Sequence, residues 1–350
     1  RVPQAYFKGL NFLLNEQQDQ AIDAFIEAVQ SDPDTSELHF ALGNLFRRRG
    51  EYDRAVRVHE HLLSRGDLSD KDRDRAQHAL ALDFLKAGLL DRAEAALQRL
   101  EGTAFESQAR LALLAIHERS RDWPLATAIA HKMQQSQQGD FSTRQAHYLC
   151  EQAQTQIAEQ DWDGATQRLQ QALQTAAQAP RPRIELAKLQ LRLGQAPEAV
   201  ATLTAMGSET PHALPLAAAL LAQAAQAAGQ ERQVLHFLCQ HYENAPSLDV
   251  LDSIVALEPL AGSAPLQGRM WYAHHLKKEP SLVAAAKWIA GEALEHPQFQ
   301  PQVQRALDHA AQPLTRYRCA ACGFEARQHF WQCPGCQTWD SYPARRIEEL

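Results

Sequence analysis

The sequence predicts an all-α protein: a superhelical solenoid of stacked helix pairs, closed at its C-terminal end by a small four-cysteine module. Three observations carry that expectation. Residues 1–311 repeat with a helical period and, above it, a longer step near 34 residues. Their composition is rich in alanine, leucine and glutamine, with 7% aromatic residues and none of the β-branched alternation that strands require. Four of the six cysteines fall between positions 319 and 336, a crowding unlike the spread of a disulfide framework in a chain of this size.

At 350 residues the chain exceeds one ordinary core, so each unit of an array must bury its surface against its neighbours. The segment Gly9-Leu10-Asn11-Phe12, followed by Ala21, Phe25, Ala28 and Pro33, is answered by Gly43-Asn44-Leu45-Phe46, Gly50 and Ala55. The step from Gly9 to Gly43 is 34 residues. This pattern resembles the tetratricopeptide repeat, in which small residues at fixed places let two antiparallel helices approach closely. Small anchors recur at Ala21, Ala55, Ala93, Ala126, Ala165 and Ala199, with steps of 34, 38, 33, 39 and 34. The two longer steps predict loops, or helices extended by one turn, near Ser64 to Asp74 and Gln134 to Phe141.

Gly50, Gly88, Gly194 and Gly229 stand where the turn within each pair should be, and glycine there suits a left-handed backbone. Glu51-Tyr52-Asp53, Leu90-Asp91 and Asp161-Trp162-Asp163 then read as the starts of second helices, with acids at the positive end of the dipole. Past Gly229 the pattern weakens, and helices are expected over 247–258, 265–277, 281–295 and 299–310, with Pro246, Pro265, Pro280 and Pro297 as breaks. The expectation is therefore six clear repeats, a seventh with Val234 at the anchor, and one or two degenerate pairs. Clear repeats run to about residue 240 and degenerate pairs to 311.

After Gln312-Pro313-Leu314-Thr315 the composition changes abruptly, which marks residues 315–343 as a separate module and 344–350 as a tail. The module contains Cys319-Ala320-Ala321-Cys322-Gly323 and Cys333-Pro334-Gly335-Cys336, two pairs separated by ten residues. Each pair can wrap one metal ion from a tight turn, so Cys319, Cys322, Cys333 and Cys336 are the expected ligands. A module this small cannot build a sufficient core, and metal binding should supply much of its folding energy. Phe324, Phe330, Trp331 and Trp339 are expected to form its small apolar core and its contact with the last helices.

Tetrahedral four-sulfur sites hold zinc or iron. The knuckles resemble those of rubredoxin, which implies iron, whereas the ten-residue gap is closer to a zinc ribbon. Either way the site is coordinatively closed, so it should be structural, or at most an electron carrier or redox sensor. Thiolates held for a metal also imply a reducing compartment. Cys150 and Cys239 stand alone in helical patterns and read as buried structural thiols.

A formal charge of −7 and a pI near 6.1 argue against a broad surface for nucleic acid or anionic membranes. Arg316, Arg318, Arg327, Arg345 and Arg346 are the residues that a nucleic-acid-binding zinc ribbon would use. The longest apolar runs, such as Leu214 to Leu221, fall short of the roughly 20 residues needed to span a bilayer. The chain as given should be soluble, and its opening Arg-Val-Pro suggests a truncated or processed form. No phosphate loop, nucleophile elbow or metalloprotease spacing is present, and His59, His61, His274 and His275 read as solvated or packing residues. A non-enzymatic scaffold follows. In tetratricopeptide arrays the first helix of each pair lines the concave groove, which makes Asn44, Arg47 and Arg48 the partner-facing candidates. Phe40 stands where that family's clamp for C-terminal carboxylates would want lysine, so chaperone-tail binding is not expected.

The union of repeats with Tyr317-Arg318-Cys-x-x-Cys-Gly-Phe324 and Trp331-x-Cys-Pro-x-Cys-x-x-Trp339 resembles the lipopolysaccharide-assembly adaptors of Gram-negative bacteria. The resemblance runs from Gly9-Leu10-Asn11-Phe12-Leu13-Leu14 to the C-terminal knuckles. It implies an N-terminal transmembrane anchor, absent from this chain, with the repeats and a rubredoxin-like metal module on the cytoplasmic face of the inner membrane. It also implies an adaptor that couples the committed-step lipid A deacetylase to a membrane-embedded ATP-dependent protease, and that associates with lipopolysaccharide assembly and transport proteins.

Overall fold

The computed structural model describes residues 4–15, 17–31, 35–262 and 267–350. Pro33 and Pro265, expected above as a repeat terminator and a helix break, lie outside them. The chain divides into two compact units, residues 1–141 and 142–350. The boundary falls inside the helical array rather than at the connector before the cysteine module.

The first unit contains four antiparallel pairs: α1 (Gln4–Leu14) with α2 (Gln18–Ser31), α3 (Ser36–Arg48) with α4 (Tyr52–Ser64), α5 (Asp70–Lys86) with α6 (Leu90–Gln98), and α7 (Glu106–Ser120) with α8 (Trp123–Gln135). The alanine anchors Ala21, Ala55, Ala93 and Ala126 are all fully buried. Around Ala21 and Ala55, Phe25, Leu38, Leu42, Leu45 and Phe46 fill the space between successive pairs. Gly9 and Gly43 mark where the paired helices touch. A Cβ at Gly9 would lie 2.9 Å from the Phe25 ring, and one at Gly43 would lie 2.5 Å from His59 Nε2. The step of 38 residues is a helix extension, since α5 runs for 17 residues against 13 in α3.

The second unit continues with α9 (Ser142–Ala158) and α10 (Trp162–Thr175), α11 (Pro180–Arg192) and α12 (Ala196–Glu209), and α13 (Leu214–Ala228) and α14 (Glu231–Asn244). Ala165, Ala199 and Val234 are buried at their anchors. The turn glycines Gly50, Gly88, Gly194 and Gly229 have φ between +67° and +78°, the left-handed conformation expected of them. In the fourth and fifth pairs Arg121 (φ +57°) and Gln160 (φ +64°) adopt the same conformation without glycine. No residue type announced those two turns.

The weaker region forms α15 (Leu248–Ala261), α16 (Met270–Lys278), α17 (Leu282–Ile289) and α18 (Gln300–Ala311). Two of these are shorter than their periodicity suggests. Helix α16 begins at Met270 rather than 265, and α17 ends at Ile289 rather than 295. Arg269 accounts for the second difference, because its Nη1 donates to the Trp288 carbonyl at 3.0 Å and to Glu292 at 3.1 Å. That satisfies a C-terminal carbonyl of α17 from outside the helix, and the chain turns away at Gly291.

The glycine contact is directly testable. His59 is held in place by Asp83, 2.5 Å from its Nδ1, so it cannot yield to a methyl group. Gly43→Ala should destabilise the first unit by about 1–3 kcal/mol, read as a lowered midpoint in chemical denaturation. A second expectation concerns pH. Burial holds His39, His78, His241 and His275 below the ordinary imidazole value. These groups are neutral in the fold and take up protons on unfolding, so the stability they contribute is present above about pH 6.5 and is lost as the pH falls through their folded values. Melting temperature should therefore fall between about pH 7 and about pH 5.5, and His275→Gln should flatten that slope.

Candidate metal centre

The module is built from two turns related by a repeated hydrogen-bond pattern. In the first, Cys319 N donates to Phe324 O at 2.9 Å and Gly323 N to Cys319 O at 2.9 Å. In the second, Cys333 N donates to Thr338 O at 2.9 Å and Gln337 N to Cys333 O at 2.8 Å. Gly323 and Gln337 fill equivalent left-handed positions, at φ +78° and +61°. A short antiparallel ladder of β1 (Tyr317–Arg318) and β2 (Glu325–Ala326) flanks the first turn, and a bridge between Gln332 and Trp339 flanks the second.

These turns bring the four cysteine sulfurs within 4.8 Å of one another. Cys319 and Cys336 are 3.8 Å apart, and Cys322 and Cys333 are 3.7 Å apart. A tetrahedron with metal–sulfur bonds of about 2.3 Å has edges of about 3.8 Å, so the donor set fits one metal ion. All six cysteines of the chain are free thiols. Within the cluster Cys319 and Cys333 are buried, Cys336 is half-buried and Cys322 is exposed.

The electrostatics of the cluster call for a cation. Burial opposes ionisation of Cys319, but the Ser341 hydroxyl and the amides of Cys322 and Ala321 outweigh it and bring the thiol down to about 6. The Thr338 hydroxyl and amide likewise lower Cys336. For Cys322 the Phe324 amide favours the thiolate, yet burial and the neighbouring cysteines prevail and push it up to about 12. Ionised sulfurs thus hold back the rest until a dication enters. Cys150 and Cys239 differ in kind. Burial pushes them up to about 12 and about 11, so they are inert thiols, and Cys239 is half-buried rather than enclosed.

The module's core is only in part the one expected. It consists of Tyr317, Cys319, Cys333 and Tyr342, with Phe330, Ala326 and Leu216 packed against it. Phe324 is 44% exposed and lies over Gly335. Trp331 and Trp339 do contact helices: Trp331 packs against the large cluster that runs from Ile184 to Ala311, and the middle of the array supplies further partners. His147 on α9 stacks on Trp339 with centroids 4.7 Å apart, and Tyr148 meets the same ring edge-on. Beneath them Asp340 accepts from His147 Nε2 at 2.8 Å, and Arg181 on α11 lies 3.4 Å from His147 Nδ1. Arg181 is buried and pairs with Glu151 at 2.6 Å. The tryptophans flank the second cysteine pair, so the metal turn and the docking surface are one structure.

Residues 344–350, read from sequence as a tail, form a strap. Arg346 makes a two-pronged pair with Asp249 on α15, at 2.7 and 2.9 Å, and its guanidinium covers the Tyr317 ring at 4.1 Å. Glu349 accepts from the Leu248 amide at 2.7 Å. Glu348 accepts from the amides of Leu282 and Val283 at 2.5 and 3.1 Å and from the Ser281 hydroxyl at 2.7 Å. Two C-terminal carboxylates therefore satisfy orphan amides at the starts of α15 and α17. Burial raises the Glu349 pKa against the pull of the Arg346 and Leu248 amides.

The partner-facing candidates divide. Arg48 is exposed. Arg47 instead donates to Asp83 at 2.7 Å, to the Ala79 carbonyl at 3.1 Å and to Asn44 at 2.6 Å. Asp83 is fully buried and also holds His59, so Arg47 and Asn44 serve first to close a charge network across α3, α4 and α5. Of the basic residues near the module, Arg316 and Arg318 face Glu325 at 3.6 and 3.3 Å, and Arg346 is held by Asp249.

Fold and centre together define a tetratricopeptide-repeat protein that ends in a rubredoxin-type metal-binding domain. A family model described as a rubredoxin metal binding domain matches residues 317–342, and tetratricopeptide repeat models match 38–74 and 156–240. Along its whole length the chain is similar to lipopolysaccharide assembly protein B of Escherichia coli strain K12, at 29% identity over 358 aligned residues that take in 100% of this chain and 92% of the relative. The protein of the same name from Haemophilus influenzae is 26% identical, over 96% of this chain and 88% of that one. A solved tetratricopeptide repeat protein from Parabacteroides merdae aligns with 75% of this chain and 100% of its own, at 15% identity and a TM-score of 0.35. Among the described residues no helix is long and apolar enough to cross a membrane.

The strap yields a measurement. Arg346→Ala leaves Asp249 without its partner, and should cost on the order of 1.5–3 kcal/mol in the second unit. Amide hydrogen exchange at Leu248, Leu282 and Val283 should accelerate in the variant, while α1–α8 keep their protection.

Proposed function

We propose that this chain is a non-enzymatic adaptor in lipopolysaccharide assembly. The observation that carries the reading is the whole-length similarity to lipopolysaccharide assembly protein B, in which helical repeats and a rubredoxin-type module occur together in this chain. The repeat surfaces supply protein-binding faces. A closed four-thiolate site leaves no position for substrate, which agrees with a scaffold rather than a catalyst.

Residues 315–343 form the metal-binding module in this reading, and Cys319, Cys322, Cys333 and Cys336 ligate one ion, iron or zinc. Its function is to hold Trp331, Trp339 and Asp340 in the geometry that docks on α9 and α11. The resemblance further suggests the partners: the committed-step lipid A deacetylase, a membrane-embedded ATP-dependent protease, and proteins of lipopolysaccharide assembly and transport. The chain would then act on the cytoplasmic face of the inner membrane, held there by the N-terminal anchor that the resemblance implies. Arg48, exposed at the end of α3, is the partner-facing candidate that internal pairing leaves available.

The test uses the membrane-anchored form in cells that lack the native gene. Cys333→Ser should stop complementation, lengthen the half-life of the deacetylase several-fold, and lower the melting temperature of the purified protein. Unchanged stability and unchanged deacetylase turnover in that variant would sink the proposal. Visible absorption of the purified protein separates the metals, since ferric tetrathiolate is coloured and zinc is not.

A further inference from the structure

Two hydroxyl groups reach the sulfur cluster from outside the set of ligands. Ser341 Oγ lies 3.2 Å from Cys319 Sγ, and Thr338 Oγ1 lies 3.2 Å from Cys336 Sγ. Both fall on one edge of the cluster, because Cys319 and Cys336 are the pair 3.8 Å apart. Ser341 is buried and bridges the two turns. Its carbonyl accepts from the Ala320 amide of the first turn at 2.7 Å, and its hydroxyl lies 3.2 Å from the Thr338 carbonyl of the second. Thr338 occupies in the second turn the position that Phe324 fills in the first, so the hydroxyl there is a departure from the repeated pattern.

We propose that Ser341, with Thr338 beside it, is a positioning residue that donates a hydrogen bond to a metal-bound thiolate and sets how firmly the centre keeps its ion. The inference rests on the four-cysteine site being a metal site. While Cys319 carries its proton, the thiol is the donor, the Ser341 oxygen accepts, and the hydroxyl hydrogen is directed at the Thr338 carbonyl. Once that proton has left to solvent, as it has in any thiolate bound to a dication, the sulfur is an acceptor only. The Ser341 hydroxyl then turns to the sulfur. The Thr338 carbonyl is not orphaned by that rotation, since it keeps the Cys333 amide at 2.9 Å. Each such bond draws charge from a sulfur and relieves the crowding of four thiolates around one dication.

The experiment compares the full chain with Ser341→Ala, Ser341→Thr and Thr338→Val. Zinc release to a chromogenic chelator measures retention. The thiolate-to-metal charge-transfer absorption of the cobalt(II) form reports charge on the sulfurs, which a packing defect elsewhere would not move. Ser341→Ala should release zinc about 10- to 100-fold faster and shift the cobalt band to longer wavelength, and Ser341→Thr should restore both. Thr338→Val should shift both in the same direction; that side chain is exposed, so the variant still decides the question if Ser341→Ala does not fold. Release rates and cobalt bands equal to wild type in both hydroxyl-deleted variants would overturn the inference alone. A wild-type chain that binds neither zinc nor cobalt would overturn the metal-site reading beneath it as well.

Discussion

Four cysteine sulfurs gathered within 4.8 Å of one another cannot all carry charge unless a cation sits among them. Most of the second unit's closing architecture depends on that constraint. The turn that presents Cys333 and Cys336 also presents Trp331, Trp339 and Asp340, and these contact His147, Tyr148 and Arg181 on the array. Downstream of the same turns the chain delivers Arg346, Glu348 and Glu349 to the starts of α15 and α17. Side-chain contacts in this way link the ligand turns to α9, α15 and α17, the path by which metal binding would order those helices.

The two units solve different packing problems. In the first, alanine and glycine anchors bring helices together, and a buried carboxylate, Asp83, is compensated by Arg47 and His59 from neighbouring helices. Removing one member would leave an uncompensated charge in the core, which is why Arg47 and Asn44 on α3 are tied inward. In the second, the repeat weakens after α14, and the C-terminal strap satisfies the first amides of α15 and α17.

Much of this was legible in the sequence. The 34-residue step, the buried anchors from Ala21 to Ala199, and four of the left-handed turns rest on local rules that a single segment displays. So does the cysteine cluster, because ligand spacing is a property of two short turns. What escaped was held by distance. His147 and Asp340 are 193 residues apart, and nothing in either neighbourhood singles out the other. Arg-Arg-Ile-Glu-Glu at the C-terminus has the composition of a solvated end, and its role as a strap exists only once α15 and α17 offer bare amides. The aromatic residues of the module were recognised as buried material, yet their assignment between core and dock needed the third dimension. Phe324 went to the surface, and Tyr317 and Tyr342 took the interior.

The central claim is that metal binding at the cysteine cluster orders helices of the second unit through the docked module and strap. Hydrogen exchange on the metal-loaded and chelator-stripped full chain tests it most directly. The account predicts that stripping exposes amides of α9 around His147 and the first turns of α15 and α17, while α1–α8 keep their protection. Equal protection throughout the second unit in both forms, with exchange changed only within residues 317–342, would contradict it.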